Sequence, residues 1–178
     1  MDALRRPRPP PPHAHRANGT LPIATHAHYS LFEIIAAYGL TGGKNQLLQL
    51  QTGAHWAQAH HTELLFITLE KSDSEYSPTT RYEDYPISPT LFHWESQNTV
   101  SPETEKGRRY LTHAERGENV VLFVRERKKG PRDETAPYVC LGNATYVHHE
   151  SERPMRIVWK LERAMPARLF QQSKVAAG

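Results

Sequence analysis

The sequence predicts a mostly-β domain: one small barrel-like unit with a single helix near its N-terminal end. Three observations lead there. Five segments rich in strand formers recur along the chain: Glu63–Leu69, Leu91–Gln97, Asn119–Arg125, Tyr138–Val147 and Met155–Leu161. Turn-forming stretches separate them, among them Ser77-Pro78-Thr79-Thr80, Ser101-Pro102, Gly107, Gly117 and Lys128-Lys129-Gly130-Pro131. Helical periodicity is confined to Tyr29–Leu40. At 178 residues the chain is long enough for one domain with a real core.

Residues 1–24 read as a disordered Pro/Arg-rich tail, because Pro7 and Pro9 to Pro12 remove backbone donors and little apolar surface accompanies them. The tail's arginines are followed by no apolar core of a secretory signal, and no run of about 18 apolar residues occurs, so a cytoplasmic location without membrane contact is expected. Order is expected from Thr25, with a barrel-like domain over 25–170 and a flexible end over 171–178. In the helix, Leu31, Ile34, Ile35 and Tyr38 fall on one face, Ser30 and Glu33 form a capping box, and Gly39 stops it. Thr41-Gly42-Gly43-Lys44-Asn45 is a turn. It lacks the first glycine and the Ser/Thr of a phosphate loop, and a helix precedes it.

Glu63–Leu69 is almost wholly apolar, and Asn119–Arg125 has the profile of a central strand. Gly142 interrupts Tyr138–Val147 and marks a bulge or tight bend. In Met155–Leu161, Arg156, Val158 and Lys160 share one face, and Met155, Ile157, Trp159 and Leu161 the other. Cys140 is the one cysteine, so no internal disulfide forms and a buried structural thiol is expected.

The net charge of +3 resides entirely in residues 1–20. Residues 21–118 carry a balance of −5 and residues 119–178 one of +5. Such segregation either presents a basic face to phosphate or is erased by interleaving in the fold. Eleven histidines raise the question of a metal. His55, His60 and His61 cluster, as do His148 and His149, but adjacent strand residues point to opposite faces and no cysteine pair assists. No metal and no other cofactor is expected.

The segment from Tyr82 to Gln97 mixes aromatic rings with directional hydrogen-bonding groups, a combination suited to a flat polar ligand such as a nucleobase. Tyr82, Asp84, Tyr85, His93, Trp94, Ser96 and Gln97 are the candidate pocket residues. Asp84 can accept from an exocyclic amine, and the rings can stack. Strand alternation puts His93, Glu95 and Gln97 on one face and Phe92, Trp94 and Ser96 on the other. The first face is favoured as the pocket, which gives Trp94 to the core. Arg81, Arg108, Arg109, Arg125, Arg127 and Lys128 are the candidate phosphate contacts. Two alternatives compete with a non-enzymatic DNA reader. One is a Mg²⁺-dependent nuclease drawing on Glu83, Asp84, Glu95 and Glu126, with Glu126-Arg127-Lys128 a loose approximation of a nuclease motif. The other is a module that docks a helicase or nuclease partner.

Seven ordered blocks carry a family resemblance: Tyr29-Ser30, Phe66 to Lys71, Tyr76 to Tyr85, Phe92 to Gln97, Leu122 to Glu126, Leu141-Gly142 and Pro154-Met155. They resemble the domain of unknown function at the C-terminus of bacterial restriction-type superfamily-2 helicases. The resemblance implies a fold like the SET-and-RING-associated and PUA-like barrels. It also implies a role in sensing modified cytosine within type IV restriction enzymes that carry phospholipase-D-like nuclease and helicase modules. DNA, including methylated duplex, is the implied partner. The family motif usually has Gln where this chain has Glu95, and no helicase or nuclease motif precedes residue 25.

Overall fold

Ser30 begins the first helix by the expected reciprocal contacts. Its hydroxyl accepts from the Glu33 backbone N–H at 3.3 Å, and the Glu33 carboxylate accepts from the Ser30 N–H at 2.7 Å. The computed structural model describes residues 21–40, 53–69 and 84–177. Within them, β1 (His28–Tyr29) leads into α1 (Leu31–Ala37), which gives way to Gly39 at φ +63°. There follow β2 (Ala54–Ala57), β3 (Thr62–Thr68), β4 (Tyr85–Ser88), β5 (Leu91–Glu95) and α2 (Glu105–Thr112). The chain continues with β6 (Asn119–Arg125), β7 (Tyr138–Glu150), β8 (Arg156–Leu161) and α3 (Ala167–Ala177). The Thr41–Asn45 turn lies outside the described residues, as do residues 1–20.

The strands form one mixed sheet in the order β2-β3-β6-β7-β8-β5-β4, with β1 paired to β7. β3 and β6 run parallel, and the other pairs are antiparallel. The sheet ends at β2 and β4 and does not close, which corrects the barrel expected from the sequence. Alternation reveals which face of a strand is buried, but it carries no information on whether the two end strands meet.

β7 gives the sheet its shape. Residues 139–143 pair with β6, and residues 144–150 with β8. At the junction Leu122 pairs with Gly142 and Phe123 with Cys140, so Leu141 is an extra residue on the β7 side. Gly142 adopts φ +80°, as its place in the sequence suggested. The sheet therefore has two leaves, β2-β3-β6-β7 and β7-β8-β5-β4. One buried cluster contains Leu65, Ile67, Val120, Leu122 and Val124 of the first leaf and Phe92, Trp94, Ile157, Trp159 and Leu161 of the second. The leaves thus share a core, closed by Tyr110 of α2 and Leu169 of α3.

A second cluster covers the other face of the first leaf, where Ile34, Ile35 and Tyr38 meet Leu64, Phe66, Val121, Phe123 and Cys140. Burial on both faces explains the unbroken apolar runs of β3 and β6. Leu21 and Ile23 pack on this cluster, so packing begins ahead of Thr25. Cys140 is fully buried, and burial pushes its thiol up to about 11.

Two helices were absent from the sequence reading. Gly107, taken there for a turn, lies inside α2. The Thr104 hydroxyl accepts from its N–H at 3.0 Å, and a Cβ at this position would stand 1.9 Å from the Ser101 carbonyl oxygen. Residues 171–177, expected to be flexible, continue α3.

Gly142→Ala tests the bend. An L-residue at this φ is strained, and its Cβ would stand 2.8 Å from Thr25 Oγ1. A loss of about 1–3 kcal/mol in unfolding free energy is expected by urea denaturation, against a near-neutral effect for an exposed control such as Glu152→Ala.

Candidate functional site

The outer face of the second leaf, turned away from the shared core, carries the site. Strand pairing fixes its rows. Tyr85 lies opposite His93, His93 opposite Val158, and Val158 opposite His148. In the next row Glu95 lies opposite Arg156, and Arg156 opposite Glu150. These residues other than Glu95, together with Ile87, line a shallow concavity of about 240 Å³. The Tyr85 and His93 rings stack with centroids 4.7 Å apart and planes 14° from parallel. Tyr85 and Ile87 keep 37% and 45% of their surface exposed, so the floor of the concavity presents ring and aliphatic surface to solvent. Beside them Arg156 Nε donates to Glu95 Oε1 at 2.8 Å, with Glu95 nearly buried and Arg156 about half exposed.

A stacked ring pair beside a guanidinium and two carboxylates can bind a flat heterocycle by its face and by its polar edge. Among the described residues, no group of three or more His, Cys, Asp or Glu is placed to hold a metal ion. His148 faces the concavity, while His149 Nδ1 sits 2.8 Å from the Tyr146 hydroxyl.

The structure sorts the sequence candidates into several groups. Tyr85 and His93 meet at the concavity. Tyr82 and Arg81 lie outside the described residues. Trp94 is buried edge-on to Tyr110 at 5.3 Å and belongs to the core. Ser96 is fully buried, and its hydroxyl accepts from the Met155 N–H at 2.9 Å, tying β5 to the start of β8. Neither Trp94 nor Ser96 lines the concavity. Asp84 accepts from the Glu95 N–H at 3.0 Å and so holds the start of β4 to the end of β5. Gln97 is half-buried beyond the end of β5 and does not line the concavity.

Of the cations proposed for phosphate, Arg109 is committed to the fold. It donates to the fully buried Glu63 at 3.1 Å and to Glu105 at 3.3 Å, and it lies 4.1 Å over the Trp56 ring. Arg125 bonds Thr68 Oγ1 at 3.0 Å and covers the Tyr138 ring at 4.4 Å. Arg108 donates to the Glu103 carbonyl at 2.8 Å, and Arg127 pairs with Glu126 at 2.8 Å. Lys128 is exposed on the β6–β7 connection.

Sequence reasoning missed Ile87, Glu150, Arg156 and Val158 as site residues, and weighed His148 only as a metal ligand. The shared face of Arg156 and Val158 was visible in the alternation of β8. What the sequence lacked was the knowledge that β8 pairs with β5.

The matching profile among known protein families is that of the domain of unknown function DUF3427, over residues 23–173. The chain belongs to this family. No curated protein matches it. The DUF3427 region holds every described strand, both leaves and the concavity. Among the described residues no helix is long and apolar enough to cross a membrane.

The buried cluster around Glu63 has its own electrostatics. Burial raises the Glu63 carboxyl above its ordinary range against the pull of Lys106 and Arg109, and burial lowers the Lys106 ammonium. Arg109→Met removes the closest cation and the one hydrogen bond that its Nη1 donates to the buried Glu63 carboxylate. A loss of about 3–5 kcal/mol is expected near neutral pH. Without the arginine the folded-state carboxyl rises further, so the variant's deficit is smallest at about pH 4, where Glu63 is protonated, and grows as pH rises. Urea unfolding of both proteins at the two pH values measures it.

Proposed function

We propose that this domain is a DNA-binding reader and that it senses modified cytosine. The observation that carries the reading is the Tyr85–His93 stack on an outer strand face, one row from the Glu95–Arg156–Glu150 line. Each feature matches a part of the proposed ligand. The rings supply a stacking surface, and base–aromatic stacking is worth about 1–3 kcal/mol per base. Glu150 supplies a carboxylate, the group that accepts from the exocyclic amine of cytosine. Ile87 and Val158 supply aliphatic surface of the kind a methyl group on the pyrimidine ring contacts. The resemblance to the C-terminal domains of restriction-type helicases agrees with this reading and supplies its biological setting, a defence system in which a helicase or nuclease acts on DNA that the domain recognises.

The reading makes affinity depend on the modification and on Tyr85. DNA oligonucleotides that differ only in cytosine methylation, titrated by fluorescence anisotropy at low and at physiological salt, are expected to separate in favour of the methylated form. Equal affinities at both salt concentrations would sink modification sensing. Tyr85→Ala is expected to weaken binding about 5- to 100-fold with its circular dichroism unchanged.

A further inference from the structure

We infer that the concavity takes a base that is already unpaired, in single-stranded DNA or looped out of a duplex, and does not extract bases from an intact helix. The inference rests on the nucleic-acid reading above and names the strand state that the same site accepts.

Three observations carry it. First, the lining residues come from β4, β5, β8 and β7, four adjacent strands of one leaf, and so they form a floor. Second, that floor is open among the described residues: Tyr85 is 37% exposed, Ile87 45%, and the Arg156 side chain 51%. A base laid on it stacks on one side and keeps its other face in water. Extruding a paired base forfeits its stacking and pairing, and one open stacking contact returns no more than is lost. A base already free of the helix avoids that cost, and the contact is then net favourable.

Third, the floor is locally balanced in charge. Arg156 is paired with Glu95 at 2.8 Å and stands opposite Glu150, while Lys160 lies on the same face of β8. Among these described residues two carboxylates offset two cations, so they do not collect the two phosphate rows of a duplex. A single strand can turn its phosphates outward and lay a base on the rings.

The test presents one cytosine-containing sequence in three forms at low salt: single strand, fully paired duplex, and duplex with one looped-out nucleotide. Anisotropy gives affinities. 2-Aminopurine at the looped-out position reports stacking by quenching. The single strand and the looped-out duplex are expected to bind at least about 10-fold tighter than the paired duplex, with quenching. Both Tyr85→Ala and the independent surface variant Ile87→Glu should remove the difference. A paired duplex bound as tightly as the single strand, with Tyr85 still required, would overturn the inference and leave the reader intact. Failure of every form to bind, or binding indifferent to both variants, would overturn the reader at this face and the inference with it.

Discussion

β7 can serve two leaves because its backbone turns at one residue. At Gly142 the chain adopts φ +80°, Leu141 bulges beside it, and hydrogen-bonded pairing passes from β6 on one side of the turn to β8 on the other. A straight strand of thirteen residues would extend one sheet. The bent one brings two leaves around a common core. The N-terminal segment braces the bend: His26 N–H donates to the Cys140 carbonyl at 2.7 Å, Cys140 N–H donates to the Ala27 carbonyl at 3.0 Å, and Thr25 occupies the space a Gly142 side chain would need. Trp159 then fills the interior among Trp94, Tyr110 and His113, with no exposed surface. The outer face of the second leaf is where it is because the inner face is consumed by this packing.

The same partition decides what the aromatic residues of the Tyr82–Gln97 segment do. Phe92 and Trp94 point inward, and Tyr85 and His93 outward, because pleating sends neighbours to opposite sides. The arginines divide by a different rule. A fully buried carboxylate is tolerated only with cations and hydrogen bonds close to it, and Glu63 takes Arg109 and Lys106 for that purpose. The Trp56 ring beneath the guanidinium adds a face that favours positive charge. Arg109 is thereby fixed in the fold, and Arg125, seated on Tyr138, follows the same pattern.

What the sequence made legible follows from these forces. The strands β3 and β6 are readable because burial on both faces leaves nothing polar to interrupt them. The α1 capping box and the kink at Gly142 are readable because each is encoded within a few residues. α2 is not, since half of Glu105 to Thr112 is charged and the helix buries only Tyr110 and Gly107, with its N-cap at Thr104. The open sheet was missed for a different reason. Alternation assigns faces strand by strand, whereas closure and pairing order are long-range properties. The site shows both halves of this: Tyr85 and His93 came from one local motif, but Arg156, His148 and Glu150 join them only through pairings across 50 residues and more.

Charge segregation along the chain meets the same limit. The acidic first half and basic second half look like material for a basic face. The topology instead places β3 of the first half against β6 of the second, and β5 of the first against β8 of the second. Glu95 thus meets Arg156 across a strand pair. Within the basic half, Arg127 pairs with Glu126 and Lys129 with Asp133 at 3.5 Å. Among the described residues this interleaving sets charges of the two halves against each other, and ionic contacts at the surface are individually weak. On the proposed reading, recognition at the second leaf would rest on short-range contact with rings and hydrogen-bonding edges. Such contact discriminates between ligands by shape and donor pattern, which is the property a reader of a single chemical group requires.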